Sequence, residues 1–270
     1  MSFEALNLNA HVGTEIRTDA GTLLTPEVAA QVRRTLVERG VLVFKEINLT
    51  DEQQVTLATM LGTVRNEGDK GIFKVTLDKK SNAKAEYLKG SFLWHMDGTH
   101  EDVPVFASLL SGRTLSPIGG QTEFSNSYVA YEELPRATKD RLFGLRVVHS
   151  LEVSMRRAGV EATEENLSNW RRMPDKTHNL VWTHKSGRKS LIIGCHASHV
   201  VGMDRKEGED LLQELLEWMT QPKFVYRHEW APGDMLIWDN TGVVHRAEPY
   251  PMDSGRLMHR TTLLGEEAFA

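Results

Sequence analysis

His95 and Asp97 stand two residues apart in the stretch 92–98, which reads Phe-Leu-Trp-His-Met-Asp-Gly. On an extended backbone, side chains at positions i and i+2 point to the same face, so this imidazole and this carboxylate can bind one metal ion. If a second imidazole joins them, the set becomes two histidines and one carboxylate. Such a facial triad suits iron(II) and leaves the opposite face of the ion open for a co-substrate and dioxygen.

The second imidazole has a candidate in His245. Turn sequences at 232–234 (Pro-Gly-Asp) and 239–242 (Asp-Asn-Thr-Gly) flank a short apolar run, 235–238, that we interpret as a buried strand. His245 follows at the start of the returning strand. A hairpin of this kind is the rigid support that a metal-binding histidine needs.

Two arginines belong to the next predicted strand, 256–264. Arg256, Met258 and Arg260 share one face by period-2 alternation. Burying two guanidinium groups without partners is costly, and a bound anion offsets that cost because the arginine fork matches a carboxylate. Pairing of Arg260 with an internal carboxylate is the alternative.

Composition limits the class of protein. The chain has 270 residues, enough for one large domain, and a net charge of -5, which gives no basic surface for nucleic acid. It contains no apolar run of membrane-spanning length and no signal-peptide pattern. Cys195 is the single cysteine, so no internal disulfide forms. We therefore expect a cytoplasmic, single-domain protein (1–270) that acts on a small molecule and binds neither nucleic acid nor membranes.

Local sequence patterns predict a mainly β fold around these candidate residues. Helices are predicted from Pro26 to Gly40, from Thr50 to Gly62 with Gln53 completing a capping box, around 134–145, and after an Asp204 cap supported by Glu207. Short strands are predicted at 41–44, 106–110, 145–149, 190–194, 223–228, 235–238 and 256–264. Many short strands with few helices favour a jelly-roll core flanked by α-helices. Segments 65–90 and 150–185 are less regular, and we interpret them as active-site loops.

The order and spacing of these motifs resemble the taurine/2,4-D dioxygenase (TauD/TfdA) family of iron(II)/2-oxoglutarate-dependent oxygenases. The resemblance runs from about residue 6 to 264. It rests on 95–97 (His-Met-Asp), 238–240 (Trp-Asp-Asn) leading to His245, and 256–260 (Arg-Leu-Met-His-Arg), together with 119–122 (Gly-Gly-Gln-Thr), 128–131 (Tyr-Val-Ala-Tyr) and 190–194 (Ser-Leu-Ile-Ile-Gly).

The resemblance implies a double-stranded β-helix (jelly roll, cupin-like) and assigns roles by position. His95, Asp97 and His245 would bind iron, Arg256 with the Thr122 hydroxyl would bind 2-oxoglutarate, and Arg260 would hold an anionic substrate. O2 would be the second co-substrate. A dimer or tetramer is common among such enzymes.

Two differences from related sequence patterns narrow the range of reactions that we expect. The family's taurine-specific members carry an anion-binding histidine in the segment that matches 65–70, and this chain has none there. Asp97 fills the position that iron halogenases of the superfamily leave open for chloride, which favours hydroxylation. We expect hydroxylation of a sulfonate, an aryloxyalkanoate or a related carboxylate, with C–O or C–S cleavage where the carbon bears a heteroatom.

Other readings stay open. A biosynthetic oxygenase acting on an amino acid or natural product, by hydroxylation, desaturation or ring formation, is one alternative, and a catalytically silent jelly-roll binding protein is another. His100 could substitute as a ligand but is expected at the pocket edge. His196 and His199 are expected to be structural, although either could face the cavity, and His259 is expected to be structural on the opposite sheet face.

Overall fold

The computed structural model describes residues 3–80, 82 and 85–269. Its strands are β1 (Glu4–Asn7), β2 (Thr14–Arg17), β3 (Val41–Phe44), β4 (Phe73–Val75), β5 (Ala107–Thr114), β6 (Thr122–Asn126), β7 (Arg146–His149), β8 (Lys176–Asn179), β9 (Val181–Thr183), β10 (Lys189–Leu191), β11 (Ala197–Val200), β12 (Val225–His228), β13 (Met235–Asp239), β14 (Val243–Ala247) and β15 (Leu257–Leu263).

The helices lie before and between these strands. They are α1 (Ala20–Leu23), α2 (Pro26–Arg39), α3 (Asp51–Leu61), α4 (Ser127–Glu132), α5 (Arg136–Leu142), α6 (Leu151–Arg157), α7 (Glu164–Arg171) and α8 (Arg205–Met219), with 3₁₀ helices at Ala85–Phe92 and Pro222–Phe224. Within the described ranges, no helix is both long enough and apolar enough to cross a membrane.

A seven-stranded sheet in the order β1-β2-β3-β13-β5-β15-β4 forms the larger half of the core. Strand β13 alternates its side chains: Met235 and Ile237 pack towards α2 and α3, while Leu236 and Trp238 face inward. On the inner side they meet Phe124 of a second sheet, β12-β6-β14. The two sheets are the predicted jelly-roll core, with helices outside it.

Local sequence signals explain where the flanking helices begin and end. The Thr50 hydroxyl accepts a bond from the Gln53 amide, and the Gln53 side chain accepts from the Thr50 amide, so the predicted capping box starts α3. Asp204 caps α8, and Gly40 ends α2 with φ of 76°. The predicted helices at 26–40, 50–62 and after Asp204 are confirmed, and the one expected around 134–145 is the shorter α5.

The segment 150–185 differs from its interpretation as a loop. It contains α6, α7, β8 and β9, because Met155, Val160 and Trp170 bury themselves as a small separate core between charged residues. The Thr163 hydroxyl caps α7 by accepting from the Asn166 amide, 3.2 Å away. In segment 65–90, strand β4 pairs with β15. Positions 81, 83 and 84 of that segment lie outside the described residues.

Candidate metal centre

The segment 95–97 meets β14 through a single antiparallel bridge rather than as the extended strand that the sequence suggested. The His95 amide donates to the His245 carbonyl at 3.0 Å, and the His245 amide returns a bond to the His95 carbonyl at 2.9 Å. Residues directly opposite in such a pair project their side chains to the same face. The two imidazoles therefore lie together, with ring centroids 4.2 Å apart.

Asp97 is held against them by Asn240, in the turn between β13 and β14. The Asn240 Oδ1 atom accepts from the Asp97 amide, and its Nδ2 donates to the Asp97 carbonyl, each at 2.9 Å. No separate role for Asn240 is predicted from the sequence; its buried side-chain amide explains how this turn can hold a segment that belongs to no strand ladder.

One ligand atom from each of His95, Asp97 and His245 lies within 4.8 Å of the others. His95 Nε2 is 3.8 Å from Asp97 Oδ1, and His245 Nε2 is 3.9 Å from Asp97 Oδ2. The structure thus brings together the three residues that the sequence selected. Their arrangement could hold one divalent cation.

The protonation states suit a metal. His95 Nδ1 lies 2.8 Å from the Leu93 carbonyl, so Nδ1 carries the proton and Nε2 offers its lone pair. Burial, then the nearby His95, lower the pKa of His245 to about 3, which leaves it neutral at pH 7. Burial alone would raise the pKa of Asp97, but His245, Arg260 and His95 outweigh it and hold the value at about 2.

Arg260 lies beside this cluster. Two carboxylates of the chain are near its guanidinium, so it is not an arginine that only a bound anion could neutralise. Its Nη1 is 3.7 Å from Asp97 Oδ2, its Nη2 is 3.6 Å from Glu67 Oε1, and its guanidinium covers the Phe73 ring at 5.1 Å. Glu67 also accepts a bond from the Thr262 hydroxyl at 2.5 Å. The alternative of an internal carboxylate partner is therefore real, although both contacts are longer than a hydrogen bond.

A cavity of about 200 Å³ opens above the cluster. It is lined by His95, Asp97 and Arg260, by polar residues that include Thr99, His149 and His196, and by the apolar side chains of Tyr87, Leu88, Leu151 and Met155. The apolar wall comes from the 3₁₀ helix and α6, within the two segments that we interpreted as active-site loops. Its residues carry no motif, and only the packing of α6 on the 3₁₀ helix reveals them.

Arg256 lies just before β15 and is 4% exposed. Its Nη2 donates to the Gly120 carbonyl at 3.1 Å and its guanidinium lies 4.7 Å from the centre of the Tyr250 ring. No carboxylate pairs with it in the part of the chain that the structure describes. Burial lowers its pKa, with Tyr250 acting in the opposite sense.

Thr122 is connected to Arg256 through Trp230. Its hydroxyl accepts a bond from Trp230 Nε1 at 3.0 Å, and Trp230 and Arg256 line one further cavity of about 200 Å³. Met258 packs in the inner core cluster and Arg260 lines the cavity at the metal-ligand cluster, as the predicted alternation requires; the register shift near Leu257 places the extra residue on β5, because Leu257 pairs with Thr114 and Met258 with Gly112.

The remaining histidines fall outside the cluster. His100 is partly exposed at the cavity rim, 3.6 Å from Glu101, and His259 bonds Asp51 at 2.8 Å on the outer sheet face. His199 bonds the neighbouring Ser198 hydroxyl. His196 is buried beside the cluster, where its Nε2 accepts from the Met96 amide at 3.3 Å, and it also lines the cavity, as the sequence left open.

Comparison with known proteins identifies the family of this chain. The family model described as "Taurine catabolism dioxygenase TauD, TfdA family" matches residues 4–262. The chain belongs to the TauD/TfdA family. As a member of it, the protein is an iron(II)- and 2-oxoglutarate-dependent dioxygenase that consumes O2.

Individual relatives match along most of their length. The chain is 38% identical over 261 residues to an alpha-ketoglutarate-dependent 2,4-dichlorophenoxyacetate dioxygenase of Burkholderia sp. (strain RASC), covering 90% of this chain and 87% of that protein. It is 34% identical over 244 residues to an (S)-phenoxypropionate/alpha-ketoglutarate-dioxygenase of Sphingobium herbicidovorans, covering 86% and 84%. The solved structure of AAD-2 with Mn(II) and N-oxalylglycine superposes with a TM-score of 0.87 at 34% identity, and each chain is covered completely.

Proposed function

We propose that this TauD/TfdA-family dioxygenase hydroxylates a small carboxylic acid, with aryloxyalkanoates as the preferred class. The observation that carries the proposal is a cavity lined by His95, Asp97 and the Arg260 guanidinium, with His245 completing the metal-ligand cluster beside it. A guanidinium next to a metal site can bind an anionic substrate close to the metal, where dioxygen is activated. Two relatives named for phenoxy acids support this class.

We infer that His95 and His245 bind iron(II) through Nε2 and that Asp97 binds it through its carboxylate. Two neutral imidazoles and one carboxylate fit iron(II), and the hydrogen bond from His95 to the Leu93 carbonyl orients that ring. When bound, iron and 2-oxoglutarate supply the oxidant that replaces a substrate hydrogen with hydroxyl. The chain's part is to fix the ligand geometry and exclude water.

Arg256 is assigned to the distal carboxylate of 2-oxoglutarate. Among the described residues the buried guanidinium meets the Gly120 carbonyl and Tyr250 but no carboxylate, so a bound carboxylate would supply the missing negative charge. The Thr122 hydroxyl, oriented by Trp230, would add a hydrogen bond.

Arg260 is assigned to the carboxylate of the primary substrate. The cavity of about 200 Å³ is smaller than the roughly 300–1,000 Å³ of typical ligand sites, so the substrate is small. Apolar side chains of Leu88, Leu151 and Met155 suit an aryl group, and we infer that they hold it while Arg260 holds the carboxylate. Binding at both ends places the intervening carbon in front of the metal ligands.

The position of that carbon decides the product. In an aryloxyacetate, the carbon between the ether oxygen and the carboxylate is the one held between the aryl wall and Arg260. Hydroxylation there gives a hemiacetal, which expels the phenol and leaves an α-oxo acid. C–O cleavage then follows from the hydroxylated product itself.

A substrate panel tests this function. The purified protein with iron(II), 2-oxoglutarate and air is offered phenoxyacetate, both enantiomers of 2-phenoxypropionate, taurine, an alkyl sulfate and an amino acid, with phenoxyacetamide as the uncharged control. We expect succinate and phenol in equal amounts from a phenoxy acid and little turnover of the amide. Succinate release stimulated only by taurine, the sulfate or the amino acid would overturn the substrate class. No stimulation by any compound would favour a silent binding protein.

We also propose a cytoplasmic homo-oligomer. The single, buried Cys195 suits a reducing compartment. Light scattering of the purified protein measures the mass of the assembly, and a monomer of 30.5 kDa would contradict the oligomer.

A further inference from the structure

The backbone between the two proposed metal ligands of segment 95–97 is held by a histidine side chain. Three consecutive amides of this segment are bonded outside any strand ladder: His95 to the His245 carbonyl, Met96 to His196 Nε2 at 3.3 Å, and Asp97 to Asn240 Oδ1. The outer two partners belong to β14 and to the turn before it. The middle partner alone comes from a different part of the fold.

The hydrogen bonds of His196 determine its tautomer. Because Nε2 accepts the Met96 amide, it carries a lone pair, and the proton of the neutral ring is on Nδ1. His196 Nδ1 lies 2.8 Å from His149 Nδ1, so His196 donates and His149 accepts. His149 therefore carries its proton on Nε2, which has no hydrogen-bond partner among the described residues. Both rings are buried, at 6% and 1% exposure, and burial favours their neutral forms.

Gly194 allows this close approach. A Cβ atom at this position would lie 2.8 Å from the Trp94 carbonyl oxygen, 2.9 Å from His196 Nε2 and 3.1 Å from His95 Cα. The Cys195 amide also donates to the Trp94 carbonyl at 2.8 Å. The segment 194–196 thus packs directly against the metal segment, and His196 reaches Met96 without a bridging water.

We propose that His196 is a positioning residue: backed by His149, it fixes the backbone between His95 and Asp97 and so sets the affinity of the site for its metal. Both ring nitrogens of His196 are engaged, which leaves no N–H for a substrate carboxylate. The inference rests on the proposed function only in that His95 and Asp97 are metal ligands. His149 acts through His196 and touches neither ligand.

Manganese binding to the apoprotein tests the proposal without turnover. Free Mn(II) is measured by electron paramagnetic resonance for His196→Phe, which keeps the ring and removes both nitrogens. We expect Mn(II) binding about 10- to 100-fold weaker, the usual effect of losing a group that orients a ligand. His196→Gln, whose amide can accept from Met96 and donate to His149, should recover much of the affinity. Adding His149→Leu to His196→Phe should weaken Mn(II) binding little further, because His149 acts on the metal segment only through His196.

A matched control separates positioning from loss of stability. His184 is equally buried and bonds the Ser190 hydroxyl, away from segment 95–97. His184→Leu should lower thermal stability and leave Mn(II) affinity unchanged. If His196→Phe does not fold, His196→Asn, which can still reach His149 but is too short for Met96, replaces it and should bind Mn(II) more weakly than His196→Gln.

The outcomes distinguish the two hypotheses. Wild-type Mn(II) affinity in folded His196→Phe, or equal affinities in the Asn and Gln variants, would overturn the positioning role. Wild-type affinity in Asp97→Ala would instead overturn the metal site of the proposed function.

Discussion

Replacing Arg256 with methionine should change ligand affinity and protein stability in opposite directions. The guanidinium is 4% exposed, and its partners are the Gly120 carbonyl and the Tyr250 ring. Losing them costs about 1 kcal/mol each, whereas the desolvation penalty of a buried, unpaired cation is several kcal/mol. The unliganded Arg256→Met protein should therefore be at least as stable as the wild type.

Binding of 2-oxoglutarate should weaken in the same variant. Removing one partner of a buried charge pair costs about 2–5 kcal/mol, and 2 kcal/mol corresponds to a roughly 30-fold higher Kd. At a ligand concentration about 100 times the wild-type Kd, the ligand stabilises the wild type by about 2.7 kcal/mol. The same concentration is only about three times the Kd of the variant, so the stabilisation falls to roughly 0.9 kcal/mol or less.

The assay is anaerobic denaturant unfolding with Mn(II), with and without 2-oxoglutarate. Arg113→Met is the matched control, because Arg113 pairs with Asp51 at 2.7 Å and bonds the Leu49 carbonyl. That control should lose stability and keep the full effect of the ligand. An Arg256→Met protein that is several kcal/mol less stable, yet fully stabilised by 2-oxoglutarate, would refute the assignment and make Arg256 a structural cation.

Three further predictions concern Arg260 and Glu67 beside the cavity and the buried histidines that titrate with pH. Arg260→Gln should raise the KM of a phenoxy acid about 30-fold or more while slow 2-oxoglutarate decay without substrate persists; an unchanged KM would make the residue structural. Glu67→Gln keeps the acceptor for the Thr262 hydroxyl but removes the carboxylate that competes with the substrate for Arg260. That ion pair contributes less than about 1 kcal/mol, so the KM of a phenoxy acid should fall by up to about 5-fold. A higher KM would contradict the competition between Glu67 and substrate. Burial lowers the pKa of His149 to about 3 and of His184 to about 4. The unfolded chain therefore binds more protons below pH 6.5, and urea unfolding should show stability lost as pH falls from 6.5 towards 4, by up to roughly 1.4 kcal/mol per pH unit for each histidine. His184→Gln should make this slope shallower, and an unchanged slope would mean that His184 does not cause it.

Local signals allowed much of the fold to be predicted. The Thr50 capping box, the Asp204 cap and the buried run 235–238 all depend on residues close in sequence, and α3, α8 and β13 form there. The helices of 150–185 were missed because charged residues hide the apolar contacts of Met155 and Trp170, which form only in the folded chain.

The three candidate metal ligands could be selected from the sequence because their types and spacing are informative. The side chains that hold these ligands and their neighbours in place could not be selected in this way. Asn240, Glu67 and His196 act through contacts 143, 193 and 100 positions away in the chain, with Asp97, Arg260 and Met96 respectively, and no local pattern reports such distances. The register shift at Leu257 similarly depends on pairing with β5.

The most direct test of the proposed iron site is an anaerobic titration of the apoprotein with iron(II) and 2-oxoglutarate, followed by visible absorption. The wild type should give the weak charge-transfer band of a 2-oxoglutarate chelate on iron. His95→Ala, Asp97→Ala and His245→Ala should lose that band at the same concentrations, whereas His100→Ala, at the cavity rim, should keep it. A band of wild-type intensity in all three ligand variants would contradict the site.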